Sequence, residues 1–257
     1  GLEKRNYNNK AISRLQRANG TFVTKLNDIQ TEQYNFYSKL YTSTNVAQQD
    51  LDSHEFFHNV TYPKLTSEAK ERCEGIITEN EVYSALKTCK KNRTPGTDGL
   101  PAEFYVTFWN DIKKYLLSSI HKTFEEGTLT TSQKQGIITL LPKKDRINTL
   151  LKNRRPLTLL NQDYKLVAKV IANRIKRVIE NIVHNDQIGF IKNRYIGENI
   201  NKLLDIIQYT EEGDIPALLV MIDFEKAYDY LEWNCIDKAL EVFNFGTSLR
   251  KWVKIFY

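Results

Sequence analysis

Residues Ala217-Leu218-Leu219-Val220-Met221-Ile222 form an unbroken apolar run, and Asp223 stops it. A half-exposed strand alternates apolar and polar residues, so six apolar residues in a row fit a strand covered on both faces. Asp223 then stands where a buried strand surfaces, desolvated on one side and open on the other. A carboxylate so placed suits a divalent cation that also touches substrate phosphates. It equally suits the cap of a following helix with Lys226, Ala227 and Tyr228 in its first turns. The stretch alone leaves both roles open.

The 257 residues can bury one substantial core or two modest ones, and 41% hydrophobic with 26% charged residues is the composition of a globular protein. No uninterrupted apolar stretch approaches the ~18 residues of a membrane span, so no membrane partner is expected. Cys73, Cys89 and Cys235 form no CxxC pair. They predict neither a disulfide framework nor a zinc knuckle, and a reducing compartment is the default. The start lacks an initiator methionine and a signal-peptide core, and the end, "WVKIFY", carries no helix stop signal. Both ends are expected to continue into a longer protein.

The net charge of +6 is unevenly spread: between Pro142 and Arg194 there are 13 Lys and Arg against 4 Asp and Glu. Positive charge concentrated in one segment points to a polyanion more strongly than the average over the chain, although a solvated basic face has the same composition.

Several elements are legible along the chain. "NDIQTEQYNFYSKLY" predicts an aromatic-faced helix with Asp28 as cap. Thr78 and Glu81 have capping-box spacing ahead of a helix through Val82, Ala85, Leu86 and Cys89. That helix breaks at Pro95-Gly96, where Gly96 suits the left-handed corner of a tight turn. From Pro101 to Gly127 the pattern predicts a helix or a helix pair. "GIITLL" and "PLTLL" then predict two strands joined by a long basic loop holding Lys143, Lys144, Arg146, Lys152, Arg154 and Arg155. After it, an apolar stripe from Leu166 to Val183 predicts a long helix, with Lys165, Lys169, Arg174, Lys176 and Arg177 largely off the stripe as a basic face.

"HEFFH", His54 to His58, matches the HExxH pattern of zinc metalloproteases, but it lacks an amphipathic setting and reads as coincidence. A carboxylate at a strand end, a cationic hairpin loop and a basic helix instead make sense together for nucleotidyl transfer. Carboxylates there hold divalent ions while cations neutralise the departing pyrophosphate.

The ordered blocks "RTPGTDGLPAEFY", "GIITLLPKK", "NRRPLTLLNQDYKLVAKVIANRI", "HNDQIGFIKNRYIGENI" and "MIDFEKAYDYLEW" resemble the reverse transcriptase of LINE-type, non-LTR retrotransposons. The similarity covers essentially the whole chain. It implies an α+β, right-hand polymerase fold: a helical N-terminal extension (1–75), the fingers (76–214), and the first strand and helix of the palm (215–257). It implies that Asp223 is catalytic and coordinates two Mg2+ ions, with the Phe224 carbonyl as a further ligand. Arg155 and Lys143 would grip the incoming nucleotide, the backbone around Lys226 and Ala227 would face its phosphates, and Tyr228 would be the steric gate under the sugar. Lys144, Arg146, Lys152, Arg154, Arg174, Lys192 and Arg194 would touch nucleic acid. The implied partners are an RNA template, a DNA primer and deoxynucleoside triphosphates. The sequence departs from the family pattern at Arg154 (usually Trp), Leu157 (Ile), Asn193 (Gly) and Tyr228 (Phe). The family's second metal-binding block, an aromatic followed by Ala-Asp-Asp, has no counterpart, because no two Asp are adjacent. The isolated chain is therefore expected to be inactive, and a non-catalytic RNA-binding remnant is the alternative.

Overall fold

The computed structural model describes residues 12–42, 57, 60–143, 146–224 and 227–257. The HExxH histidines, Lys144 and Lys226 lie outside the described residues. The chain divides into two compact units.

The first unit comprises residues 1–46, 90–108 and 130–165. In it, β1 (Leu15–Gln16) pairs antiparallel with β2 (Phe22–Val23), and α1 (Leu26–Tyr41) follows. Leu15, Val23 and Ile29 are buried together, with Ile12 and Leu151 packed against them. The residue that caps α1 is Lys25, so Asp28 sits inside the first turn instead of capping it. Its carboxylate still faces the positive end of the helix there. After α4 (Ala102–Thr107) and the single turn α6 (Thr131–Lys134), β3 (Gly136–Pro142) and β4 (Arg154–Leu160) form the hairpin the β-branched runs predict.

Gly96 has a different role from the one its sequence context suggests. The left-handed residue of this turn is Gly99, at φ 71°, whose N–H donates to the Gly96 carbonyl at 3.3 Å. Gly96 is instead a point of close approach: a Cβ there would lie 2.5 Å from the Asn161 backbone nitrogen and 2.6 Å from the Leu160 carbonyl carbon. Because backbone atoms cannot swing aside, Gly96→Ala is expected to destabilise by about 3 kcal/mol, the upper range for overpacking. Urea unfolding of the variant measures this; a loss under about 1 kcal/mol would show that the turn yields.

The second unit comprises residues 47–89, 109–129 and 166–257. It holds α2 (Ser67–Glu71), α3 (Glu79–Lys87), α5 (Trp109–Glu126), most of α7 (Gln162–Lys176), α8 (Ile196–Glu212), α9 (Trp233–Val242) and α10 (Thr247–Phe256). The Thr78–Glu81 capping box forms in both directions, and α3 buries Val82, Ala85 and Leu86. Pro101 and Gly127 bracket a helix pair, α4 and α5, with Gly127 at φ 70°. Along α7, Leu166, Val167, Val170 and Ile171 are buried as the stripe requires. The helix ends at Lys176, and Val178 and Ile182 join the core from a 3-10 turn rather than from a longer helix. On α10, Leu249, Trp252 and Ile255 face inward, and the Glu74 carboxylate accepts from the N–H groups of Ser248 (2.9 Å) and Leu249 (3.0 Å) at its start. These otherwise unbonded donors are thereby satisfied.

The run 217–222 does not form the buried strand expected of it. It is in no strand, and Leu218, Met221 and Ile222 are 80% or more exposed. An apolar strand needs a bonded neighbour at its edge and cover on its faces. Among the described residues both sheets are two-stranded hairpins, and neither includes this run.

Candidate functional site

Strand alternation sorts the cations of the β3–β4 hairpin. Arg155 pairs with Leu141 and Arg154 with Pro142, and the Lys143 N–H continues the ladder by donating to the Asn153 carbonyl at 2.9 Å. Successive side chains point to opposite faces, so Lys143 and Arg155 share one face of the ribbon and Arg154 takes the other. Arg155 is exposed. Arg154 is 8% exposed, and its Nε donates to the Asn148 carbonyl at 3.0 Å. Burial pushes the Arg154 pKa down, with Tyr37 acting in the opposite sense. Its neighbours are protein groups, which corrects its expected place on the nucleic-acid surface. Arg146 and Lys152 are exposed on the intervening loop.

The hairpin is tied at its base by Asn161, which the sequence reading passes over. This side chain is 2% exposed. Its Oδ1 accepts from the Thr97 hydroxyl (3.2 Å) and the Asp98 N–H (3.3 Å), while its Nδ2 donates to the Ser132 carbonyl (3.0 Å). One amide thus joins the Pro95–Gly99 turn, the α6 turn and the end of β4. A polar residue directly after an apolar strand is the local signal, but its partners lie 29 to 64 residues away.

Arg174 also departs from the expected basic face. It is 3% exposed and bonds both oxygens of Glu81, at 2.7 and 2.8 Å. Its remaining donors reach the carbonyls of Cys73, Glu74, Gly75 and Ile76 at 2.8 to 3.2 Å. No N–H is left for a phosphate, so it is a structural clamp. Arg194 likewise gives its guanidinium to the carbonyls of Val183, His184 and Gln187. Lys192 is exposed beside it. Asn193, where the family pattern has glycine, sits at φ 63°, a conformation asparagine tolerates better than most residues.

Asp223, Phe224, Ala227 and Tyr228 are all exposed. No group of three or more His, Cys, Asp or Glu among the described residues is placed to hold a metal ion. Asp223 and the Phe224 carbonyl are hard oxygen donors of the type magnesium takes, but they make only part of a ligand set. No described helix is long and apolar enough to cross a membrane.

Residues 141–257, from the end of β3 through α10, match the family model described as "Reverse transcriptase (RNA-dependent DNA polymerase)". The whole chain is 30% identical to the Transposon TX1 uncharacterized 149 kDa protein of Xenopus laevis, over 19% of that protein's length. Over 68% of its length the chain is 24% identical to the retrovirus-related Pol polyprotein from type-1 retrotransposable element R1 of Bradysia coprophila, which it covers over 18%. The chain spans about a fifth of each relative. Residues 141–257 therefore belong to the reverse transcriptase family, and the chain that carries them is a segment of the LINE-type, non-LTR kind.

Proposed function

We propose that this chain supplies the fingers (76–214) and the start of the palm (215–257), behind an N-terminal helical extension (1–75), of an RNA-directed DNA polymerase from a non-LTR retrotransposon. The parent enzyme extends a DNA primer on an RNA template, in cytoplasm and nucleus. The observation that carries this reading is the β3–β4 ribbon, with Lys143 and Arg155 on one face, followed in the same matched region by Asp223. Two cations on a rigid hairpin can hold a triphosphate and offset the charge that builds on the leaving pyrophosphate. Asp223 and the Phe224 carbonyl would hold Mg2+, which when bound supplies charge stabilisation at the phosphoryl oxygens. The backbone N–H groups around Lys226 and Ala227 would face the phosphates, and the Tyr228 ring would lie against the sugar. Arg146, Lys152 and Lys192 contact template phosphates, where point charges suffice.

Primer extension on an RNA template tests this with two proteins. The full-length parent protein is expected to extend with deoxynucleotides, and this chain alone is not, because one carboxylate makes only part of a metal site. RNA binding without synthesis by the parent protein would favour the non-catalytic reading. In the active parent, Tyr228→Val is expected to lower the ratio of kcat/KM for deoxy- over ribonucleotides, since a gate acts on the difference between two substrates. An unchanged ratio would take the gate role from Tyr228.

A further inference from the structure

The loop between β3 and β4 is held from outside the hairpin. The backbone N–H of Gln16, in β1, donates to the Thr149 carbonyl at 2.9 Å. The Leu151 side chain packs against the buried Leu15, Val23 and Ile29 of β1, β2 and α1. Arg154, buried where the loop returns to the ladder, draws in the Asn148 carbonyl through Nε. Within the loop, the Asn153 Nδ2 donates to the Ile147 carbonyl at 3.0 Å, and the Lys143 N–H closes the neck on the Asn153 carbonyl. Every residue in this chain of contacts belongs to the first unit.

We propose that β1, β2 and α1 form a clamp on residues 146–153 of the loop, and that Gln16, Leu151 and Arg154 are positioning residues for the nucleotide-facing cations Lys143 and Arg155. An untethered loop of this length samples many conformations, and ordering it on nucleotide binding would weaken the affinity. The clamp orders the loop beforehand. Arg154 and Arg155 divide the labour by strand alternation: one turns inward to fix the loop, the other outward to bind. The part that concerns nucleotide rests on the polymerase reading above; the clamp itself does not.

The test uses the full-length protein with Arg154→Met, which keeps the volume but loses the donors, Arg154→Lys, which keeps a donor, and Leu151→Ala. Brief trypsin digestion read by mass spectrometry reports cleavage after Lys143, Arg146 and Lys152, and circular dichroism reports whether each variant is folded. Folded Arg154→Met and Leu151→Ala are expected to be cut in the loop on the order of tenfold faster than wild type, with Arg154→Lys in between. Their KM for deoxynucleotides is expected to rise on the order of tenfold, with kcat changed much less. Unchanged loop cleavage would overturn the clamp. Faster cleavage with an unchanged KM would overturn the positioning role. If the wild-type parent makes no DNA, the polymerase reading fails while the cleavage rates still decide the clamp.

Discussion

Asp223→Asn in the full-length parent protein is expected to cut primer extension on the order of a thousandfold or more, while leaving RNA binding close to wild type. Asparagine has nearly the shape of aspartate but no charge, so the substitution removes an anionic oxygen ligand and changes little else. Asp223 is exposed and lies in no strand or helix, so its replacement breaks no packing. The cations proposed to hold template lie on the β3–β4 loop and at Lys192, so affinity for RNA provides an internal control. Extension on an RNA template, with binding measured on the same preparation, is the readout. Synthesis within tenfold of wild type would remove Asp223 from the metal site.

Arg174→Met is expected to destabilise the second unit by about 3–5 kcal/mol, the range for removing one partner of a buried ion pair. The methionine fills most of the space but leaves Glu81 and four backbone carbonyls without their donor. The effect carries a pH signature. In the wild type, burial pushes the Glu81 carboxyl up, but the Arg174 guanidinium and the N–H and hydroxyl of Thr78 outweigh it, so its pKa lies below the ordinary 4.5. A depressed carboxylate contributes stability that is fully present above pH 4.5 and is lost as pH falls through the folded-state value. Urea unfolding across the acid range should show this loss in the wild type. In Arg174→Met only burial and Thr78 remain to act on Glu81, so the acid limb should flatten or reverse. A loss under about 1 kcal/mol at neutral pH would mean that the pair behaves as a surface ion pair.

What was legible in the sequence was what neighbouring residues decide. The Thr78–Glu81 box, the Pro101 and Gly127 boundaries and the two β-branched runs each act within a few residues, and each forms as read. Contacts that join distant segments through one side chain were not legible. Arg174 lies off the apolar stripe of α7 and is spaced like a surface residue; only the carbonyls of residues 73–76 and the Glu81 carboxylate, 93 to 101 positions away, make it interior. Asn161 and Gly96 fit the same description, one amide and one missing Cβ meeting across 65 positions. At the candidate site, composition identified the cations of the hairpin but not their facing. The strand register separates Arg154 from Arg155. The run 217–222 fails for the complementary reason: its composition states what it needs for burial, and the described residues do not supply it.

That exposed run has a consequence for solubility. Six uncharged apolar residues, several of them β-branched or leucine, are the kind of segment that stacks on copies of itself into cross-β ladders. Pro216 lies immediately before it and Asp223 immediately after, one unable to donate a ladder hydrogen bond, the other bringing like charges about 4.8 Å apart in any in-register stack. The pair acts as gatekeepers. The carboxylate proposed to serve catalysis in the assembled enzyme thus also opposes aggregation while the run stands uncovered.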